Sequence, residues 1–172
     1  MKEADQPERE EERSPGVKAL LSDLCTDDPV ARERARQALT SLGPDILEPL
    51  AGLREHRDPL VRWEVARVLG GIPSEEAARL LVGLLDDEAE DVRNAAAESL
   101  RRQGERGLIP LLEALATRED LGFLRASALR ALAPMKGLSD TLDTLLEALA
   151  GGAPETSVHL EAHRALEDLK KR

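Results

Sequence analysis

Apolar residues recur along most of the chain with the spacing of one α-helical face. When the sequence is aligned on five polar positions, each is preceded by an aliphatic residue. A small or β-branched residue follows three positions later and a leucine seven positions later. Offsets of −1, +3 and +7 share one stripe of a helix. The pattern therefore predicts five copies of one amphipathic helix, here called helix B, aligned on Arg32, Arg62, Arg93, Arg125 and His159.

A shorter apolar pattern precedes each copy and predicts a second helix, helix A. Gly52 and Gly83 lie directly before the later leucine in two of these helices. Glycine costs about 1 kcal/mol inside a helix, so we expect another helix to approach closely at both positions. The paired leucines of helix A are Leu21/Leu24, Leu50/Leu53, Leu81/Leu84, Leu112/Leu115 and Leu146/Leu149.

Residues typical of helix ends separate the predicted helices. Asp-Pro at 28–29 and 58–59 matches an N-cap followed by proline in the first turn of helix B. Glycine, which is common just after the last turn of a helix, stands where each of the first four B helices should end. These residues are Gly43, Gly70, Gly71, Gly104 and Gly137.

No single pair of these helices can bury its own apolar stripe, so the pairs are expected to stack side by side. The predicted fold is an all-α solenoid in one domain, residues 14–172, with Ser14 and Pro15 beginning the first helix. Residues 1–13 are highly charged and are expected to be disordered. The five predicted helical hairpins span about residues 15–43, 44–72, 74–104, 107–137 and 139–170.

The turn before helix B, with the Ala-x-x-x-Leu that follows it, resembles the HEAT repeat. The matching segments are "DPVAR" at 28–32, "DPLVR" at 58–62 and "EDVR" at 90–93. The likeness covers roughly residues 17–170 and is strongest to the short repeats of bacterial HEAT-like proteins and phycobilin lyase subunits. It implies a ladder of Asp and Arg between neighbouring repeats, although the Asp element is clear only in the first two units.

Composition and charge exclude several classes of function. The net charge of −10 argues against binding nucleic acid or an anionic membrane surface, both of which require clustered Lys and Arg. Cys25 is the only cysteine, so it has no partner for an internal disulfide, and we expect it to be a small core residue. No apolar run is long enough to cross a bilayer or to resemble a signal peptide. We expect a cytoplasmic protein.

The resemblance implies that helix B lines the concave side of the solenoid. Trp63, the only tryptophan, falls on the side opposite the buried stripe, where it could anchor a partner. Arginines concentrate on helix B, and they favour an acidic or phosphorylated partner. The alternatives are a salt-bridged, solvated helix face and a Trp63 that lies across its own helix or packs under a neighbouring loop. The predicted partner-binding residues are Trp63, Arg67, Arg34, Arg101, Arg130 and Arg164.

These features favour a non-catalytic scaffold or adaptor that binds another protein or an acidic peptide and needs no cofactor. One alternative is a phycobilin-lyase-like or other cofactor-handling protein that acts with a partner chain. A second is a HEAT-like DNA glycosylase, with Trp63, Arg67 and Asp58 as candidate side chains. A third is a structural module that docks to other domains or to copies of itself. The polar ending "LEDLKKR" is typical of a terminal cap, and we expect a monomer.

His159 and His163 have the i, i+4 spacing with which a helix can begin a zinc site. His159, however, occupies the position held by arginine in the four earlier repeats. His56 is three repeats away, and the carboxylates close by are Glu155 and Glu161. We therefore expect no metal site, and we interpret the two histidines as marking the end of the repeat array.

Overall fold

The computed structural model describes residues 16–171, which are helical with short connections and contain no strand. The prediction of disorder for residues 1–13 and the proposed cap at Ser14 and Pro15 lie outside these residues. The first helix begins at Val17 with Gly16 as its N-cap, later than predicted. The helices are α1 (Val17–Leu24), α2 (Pro29–Leu42), α3 (Leu47–Leu53), α4 (Pro59–Gly70), α5 (Glu75–Leu84), α6 (Glu90–Gln103), α7 (Glu105–Thr117), α8 (Gly122–Leu132), α9 (Asp140–Ala150) and α10 (Glu155–Lys170).

The sequence sets the helix ends much as predicted. The side chains of Asp28 and Asp58 accept hydrogen bonds from the backbone N–H groups two residues later, each at 2.9 Å, and a proline begins each helix. Gly43 and Gly104 follow α2 and α6 with φ of 68° and 59°, a backbone conformation that other residues rarely adopt.

The helices stack as an all-α solenoid, which confirms the predicted fold class. Even-numbered helices α2, α4, α6 and α8 pack side by side in one layer, and α5 packs on α7 in the other. The helix-B stripe lies in the core: Val65 and Leu69 of α4 and Ala96 of α6 have no exposed surface, and Leu100 is 2% exposed. The predicted helix-B register is therefore confirmed in these repeats.

The inference of close helix approach at Gly52 and Gly83 is wrong. A Cβ atom at Gly52 would meet nothing within 4 Å, and one at Gly83 would meet only the guanidinium end of Arg54. The close approach is instead at Gly70, where a Cβ would stand 2.6 Å from the Cβ of Ser99 on α6. Glycine is thus needed at the end of helix B, where α4 and α6 are in contact.

The arginine at the alignment position of helix B joins loops within and between repeats. Arg62 is buried and donates to both carboxylate oxygens of Asp87, at 2.7 Å and 2.8 Å, and to the carbonyl of His56 at 2.7 Å. Arg125 reaches the following hairpin through the carbonyl of Ala153 at 2.6 Å. Asp28 and Asp58, which the resemblance suggested as ladder residues, cap their own helices instead. The carboxylate that pairs with Arg62 is Asp87 of the next repeat, in a turn without the Asp-Pro pattern.

The two helices of the last hairpin have different neighbours from the equivalent helices of the earlier repeats. Its second helix, α10, packs chiefly against α7 and α9, and its first helix, α9, packs against α8. In the earlier repeats, by contrast, each even-numbered helix packs on the even-numbered helix before it. The solenoid therefore ends in an arrangement of four neighbouring helices, α7 to α10, and α10 does not continue the layer formed by α2, α4, α6 and α8.

Candidate functional site

Trp63 lies on the exposed side of α4, as its position opposite the buried stripe predicted. Its ring is partly buried, and the guanidinium carbon of Arg67, one turn later on the same helix, stands 4.5 Å from the ring centre. This distance suits a cation–π contact. Two of the predicted partner-binding residues are thus in direct contact with each other.

A groove of about 640 Å³ opens beside Trp63, between the first turns of α4 and α6. We call it the Trp63 groove. One wall comes from α4 and its N-cap, and the other from the start of α6. The lining residues are Asp58, Pro59, Leu60, Trp63, Ala89, Glu90 and Asp91.

A buried carboxylate lies behind this surface. Glu64 is 4% exposed, and its oxygens lie 3.6 Å from Nε of Arg32 and 3.4 Å from Nε of Arg36, both on α2. Arg67 approaches the same carboxylate at 4.0 Å. Burial, followed by the repulsion of Arg67, lowers the pKa of the Arg36 guanidinium, and the attraction of Glu64 opposes that change. The cluster thus joins α2 to α4 through ion pairs that are longer than hydrogen bonds.

The other four predicted residues do not gather around Trp63. Arg101 is exposed and is held by Glu98 at 2.5 Å and 2.8 Å, and this hydrogen bonding lowers the pKa of the Glu98 carboxyl. Arg34 occupies the position in α2 that Glu64 occupies in α4, but it is exposed on the first described hairpin. Arg130 is exposed on α8 at the position equivalent to Arg67.

Arg164 shows a specific error of the sequence alignment. It lies on α10 and pairs with Glu161 at 2.8 Å. Because α10 packs on α7 rather than on α8, Arg164 does not extend the α4, α6 and α8 surface. The prediction that it shares a face with Trp63 is wrong.

Two residues near this surface were not predicted. Phe123 at the start of α8 is 52% exposed, and the guanidinium carbon of Arg93 on α6 lies 4.1 Å from its ring centre. Arg102 on α6 extends over α4, since its Nη2 lies 2.7 Å from where a Cβ of Gly70 would stand. The sequence signal for Phe123 is an apolar residue that recurs two positions before the aligned arginine, as Val30 and Leu60. Both of these residues are also exposed.

The sulfur and imidazole groups do not line the groove, although His56 accepts a hydrogen bond at 3.1 Å from the backbone N–H of the lining residue Asp58. Cys25 is exposed at the end of α1, so its prediction as a core residue is wrong. Partial burial and the charge of Asp58 raise the pKa of its thiol. His163 is exposed, and Nε2 of His159 is buried without a hydrogen-bond partner.

Residues 16–171 contain no group of three or more His, Cys, Asp or Glu side chains placed to hold a metal ion. None of their helices combines the length and apolarity needed to cross a membrane.

The stacked helical hairpins place the chain in the class of helical-repeat proteins. The profile of the HEAT-repeat family matches residues 46–133, about half of the chain, and the chain belongs to that family. No curated protein matches it. Among solved structures it is similar to the crystal structure of an engineered protein, a Northeast Structural Genomics Consortium target. The identity is 27% over 91% of this chain and 80% of that chain, with a TM-score of 0.43.

Proposed function

We propose that this HEAT-repeat protein is a non-catalytic binding module whose partner protein lies across the exposed sides of α4, α6 and α8. The observation that carries the proposal is the position of Trp63. The only tryptophan of the chain packs against the edge of the core and lines an open groove with part of its side chain exposed. Tryptophan contributes much contact area at a low cost in side-chain entropy, and it is enriched among residues that dominate binding.

In this proposal, acidic groups of the partner face the arginines on the same surface. Arg67, Arg102 and Arg130 extend from three successive helices of one layer, and Arg102 and Arg130 form no ion pair with another described residue. Carboxylates or phosphates of a partner peptide would form charge-assisted hydrogen bonds with them. Such pairs at the rim of a binding surface mainly guide association and set specificity.

The test is recovery of the partner from cells that make the protein, using the tagged full chain and two variants of the groove. Trp63→Ala and Arg67→Glu should each abolish recovery of the proteins that the unchanged chain retains. Arg164→Glu is the matched control, because it makes the same charge change at an exposed arginine outside this surface. Equal recovery by all four proteins would contradict the proposal. So would an equal loss in Arg67→Glu and Arg164→Glu, which would indicate a general effect of charge.

A further inference from the structure

The polar lining of the Trp63 groove is acidic, although the surface around it contains many arginines. Asp58, Glu90 and Asp91 line the groove together with the apolar side chains of Leu60 and Trp63. Asp58 caps α4. The other two carboxylates lie in the first turn of α6, exposed to solvent, and neither forms an ion pair with any residue of the described part of the chain.

Some arginines of the surrounding surface are paired with acids. Arg36 pairs with Glu33 and with buried Glu64, and Arg101 pairs with Glu98. The charged side chains that line the groove itself are acidic, and they lie at the N-terminal ends of α4 and α6. Arg93 covers Phe123 beside them, and Arg102 lies further along α6.

Aromatic rings on this layer already accept cations. Arg67 covers one part of Trp63, and Arg93 covers Phe123 at 4.1 Å. Trp63 also lines the open groove together with Glu90 and Asp91, so a cation placed there would lie beside an aromatic side chain and two carboxylates without ion-pair partners among the described residues. An aromatic surface with adjacent carboxylates suits an ammonium or guanidinium group better than it suits an anion.

We propose that the Trp63 groove receives a lysine or arginine side chain of the partner, and that acidic residues of the same partner segment face Arg102 and Arg67. This proposal rests on the proposed binding function and adds a direction to it. The partner's cationic end lies over the first turns of α4 and α6, and its acidic end lies over their C-terminal halves. A partner that is acidic throughout would meet Glu90 and Asp91 with like charge.

The spacing of the two charges follows from the helix geometry. Leu60 and Arg67 are seven residues apart on α4, and Asp91 and Arg102 are eleven residues apart on α6. At 1.5 Å per residue these separations are about 10 to 16 Å. A helical partner would therefore carry its cationic and acidic groups two to three turns apart, with an apolar residue between them.

The test uses the full chain and four synthetic 18-residue alanine-based helical peptides. Each has the same central leucines and lacks tryptophan and tyrosine. One has lysines in its first third and glutamates in its last third. The second has glutamates at both ends, the third has lysines at both ends, and the fourth is uncharged. Since Trp63 is the only tryptophan and the chain has no tyrosine, its fluorescence reports binding at the groove directly.

The peptide with both charges should bind about tenfold more tightly than the peptide with glutamate at both ends. Glu90→Lys/Asp91→Lys should reverse that preference. The control Glu119→Lys/Glu167→Lys, with the same charge change at exposed positions, should keep it. Equal or tighter binding of the all-glutamate peptide would overturn the cationic assignment and leave the binding function intact. No fluorescence response to any of the four peptides would contradict both proposals.

Discussion

Removal of the Asp87 carboxylate should destabilise the protein by much more than removal of the adjacent Glu88 carboxylate. Both groups contact Arg62, but Asp87 is 7% exposed and binds it at 2.7 Å, whereas Glu88 is 85% exposed and lies at 3.3 Å. Breaking a buried ion pair by removing one partner costs about 3–5 kcal/mol, and loss of Asp87 leaves Arg62 with only the exposed Glu88 as an ionic partner. An exposed pair contributes about 0–1 kcal/mol. We therefore expect Asp87→Ala to lower the free energy of unfolding by about 3–5 kcal/mol and Glu88→Ala by less than about 1 kcal/mol.

The measurement is urea-induced unfolding followed by circular dichroism at 222 nm for the unchanged chain and the two variants. Each substitution removes one carboxylate from the same arginine, so the two variants differ in the burial of that carboxylate and in one backbone hydrogen bond that Asp87 accepts. A loss in Asp87→Ala no larger than that in Glu88→Ala would refute the argument that burial of the Arg62 pair determines its importance.

A second variant separates the ion pair from a turn hydrogen bond. Asp87 also accepts a hydrogen bond from the backbone N–H of Ala89 at 2.9 Å, just before α6. Loss of one such hydrogen bond costs about 0.5–1.5 kcal/mol by itself. Adding Arg62→Met to Asp87→Ala removes the buried charge, so the double variant should be more stable than Asp87→Ala alone. If it is not, the loss arose elsewhere than in the buried charge.

Two further predictions concern the glycines and the cysteine. Gly70→Ala should lower the free energy of unfolding by about 1–3 kcal/mol because its Cβ would overlap Ser99. Gly52→Ala, which meets nothing within 4 Å, should raise it by about 0.5–1 kcal/mol; both follow from urea unfolding, and equal effects would contradict the packing described. The raised pKa of Cys25 means less thiolate at a given pH, so iodoacetamide should modify it with a midpoint pH above that of a free cysteine. Asp58→Asn, which can still cap α4, should move the midpoint toward lower pH, and an unchanged midpoint would exclude Asp58 as a cause.

The sequence predicts the helix-B register well because burial and helical period both act on every repeat. Val65 and Leu100 fall on the predicted stripe, and both are in the core. Each repeat supplies the same offsets, so an accidental match at one copy does not change the alignment. The all-α solenoid was therefore predictable without any knowledge of contacts between helices.

The orientation of the last hairpin was not predictable from the same pattern. The apolar stripe of α10, which includes Val158 and Ala162, is equally buried whether it packs on α7 or on α8. Periodicity identifies the buried face of a helix but not the neighbour that covers it. The connection between α8 and α9 includes a 3-10 turn at Ala133–Met135 and Gly137 with φ of 86°. Its path determines the neighbour, and hence where Arg164 lies.

The distribution of charge around the candidate site was only partly predictable for a related reason. Counting arginines on helix B ignores the acids that lie three residues before them on the same helix, such as Glu98 before Arg101. The charges that remain free follow helix polarity, because carboxylates such as Glu90 and Asp91 are favourable in a first turn and arginines are favourable in a last turn. Parallel B helices place these ends side by side, so one edge carries Asp58, Glu90 and Asp91 at α4 and α6, and the other edge carries Arg67, Arg102 and Arg130. A partner that crosses α4 and α6 must carry positive charge over the first edge and negative charge over the second. A partner attracted only to an arginine-rich face would need negative charge alone.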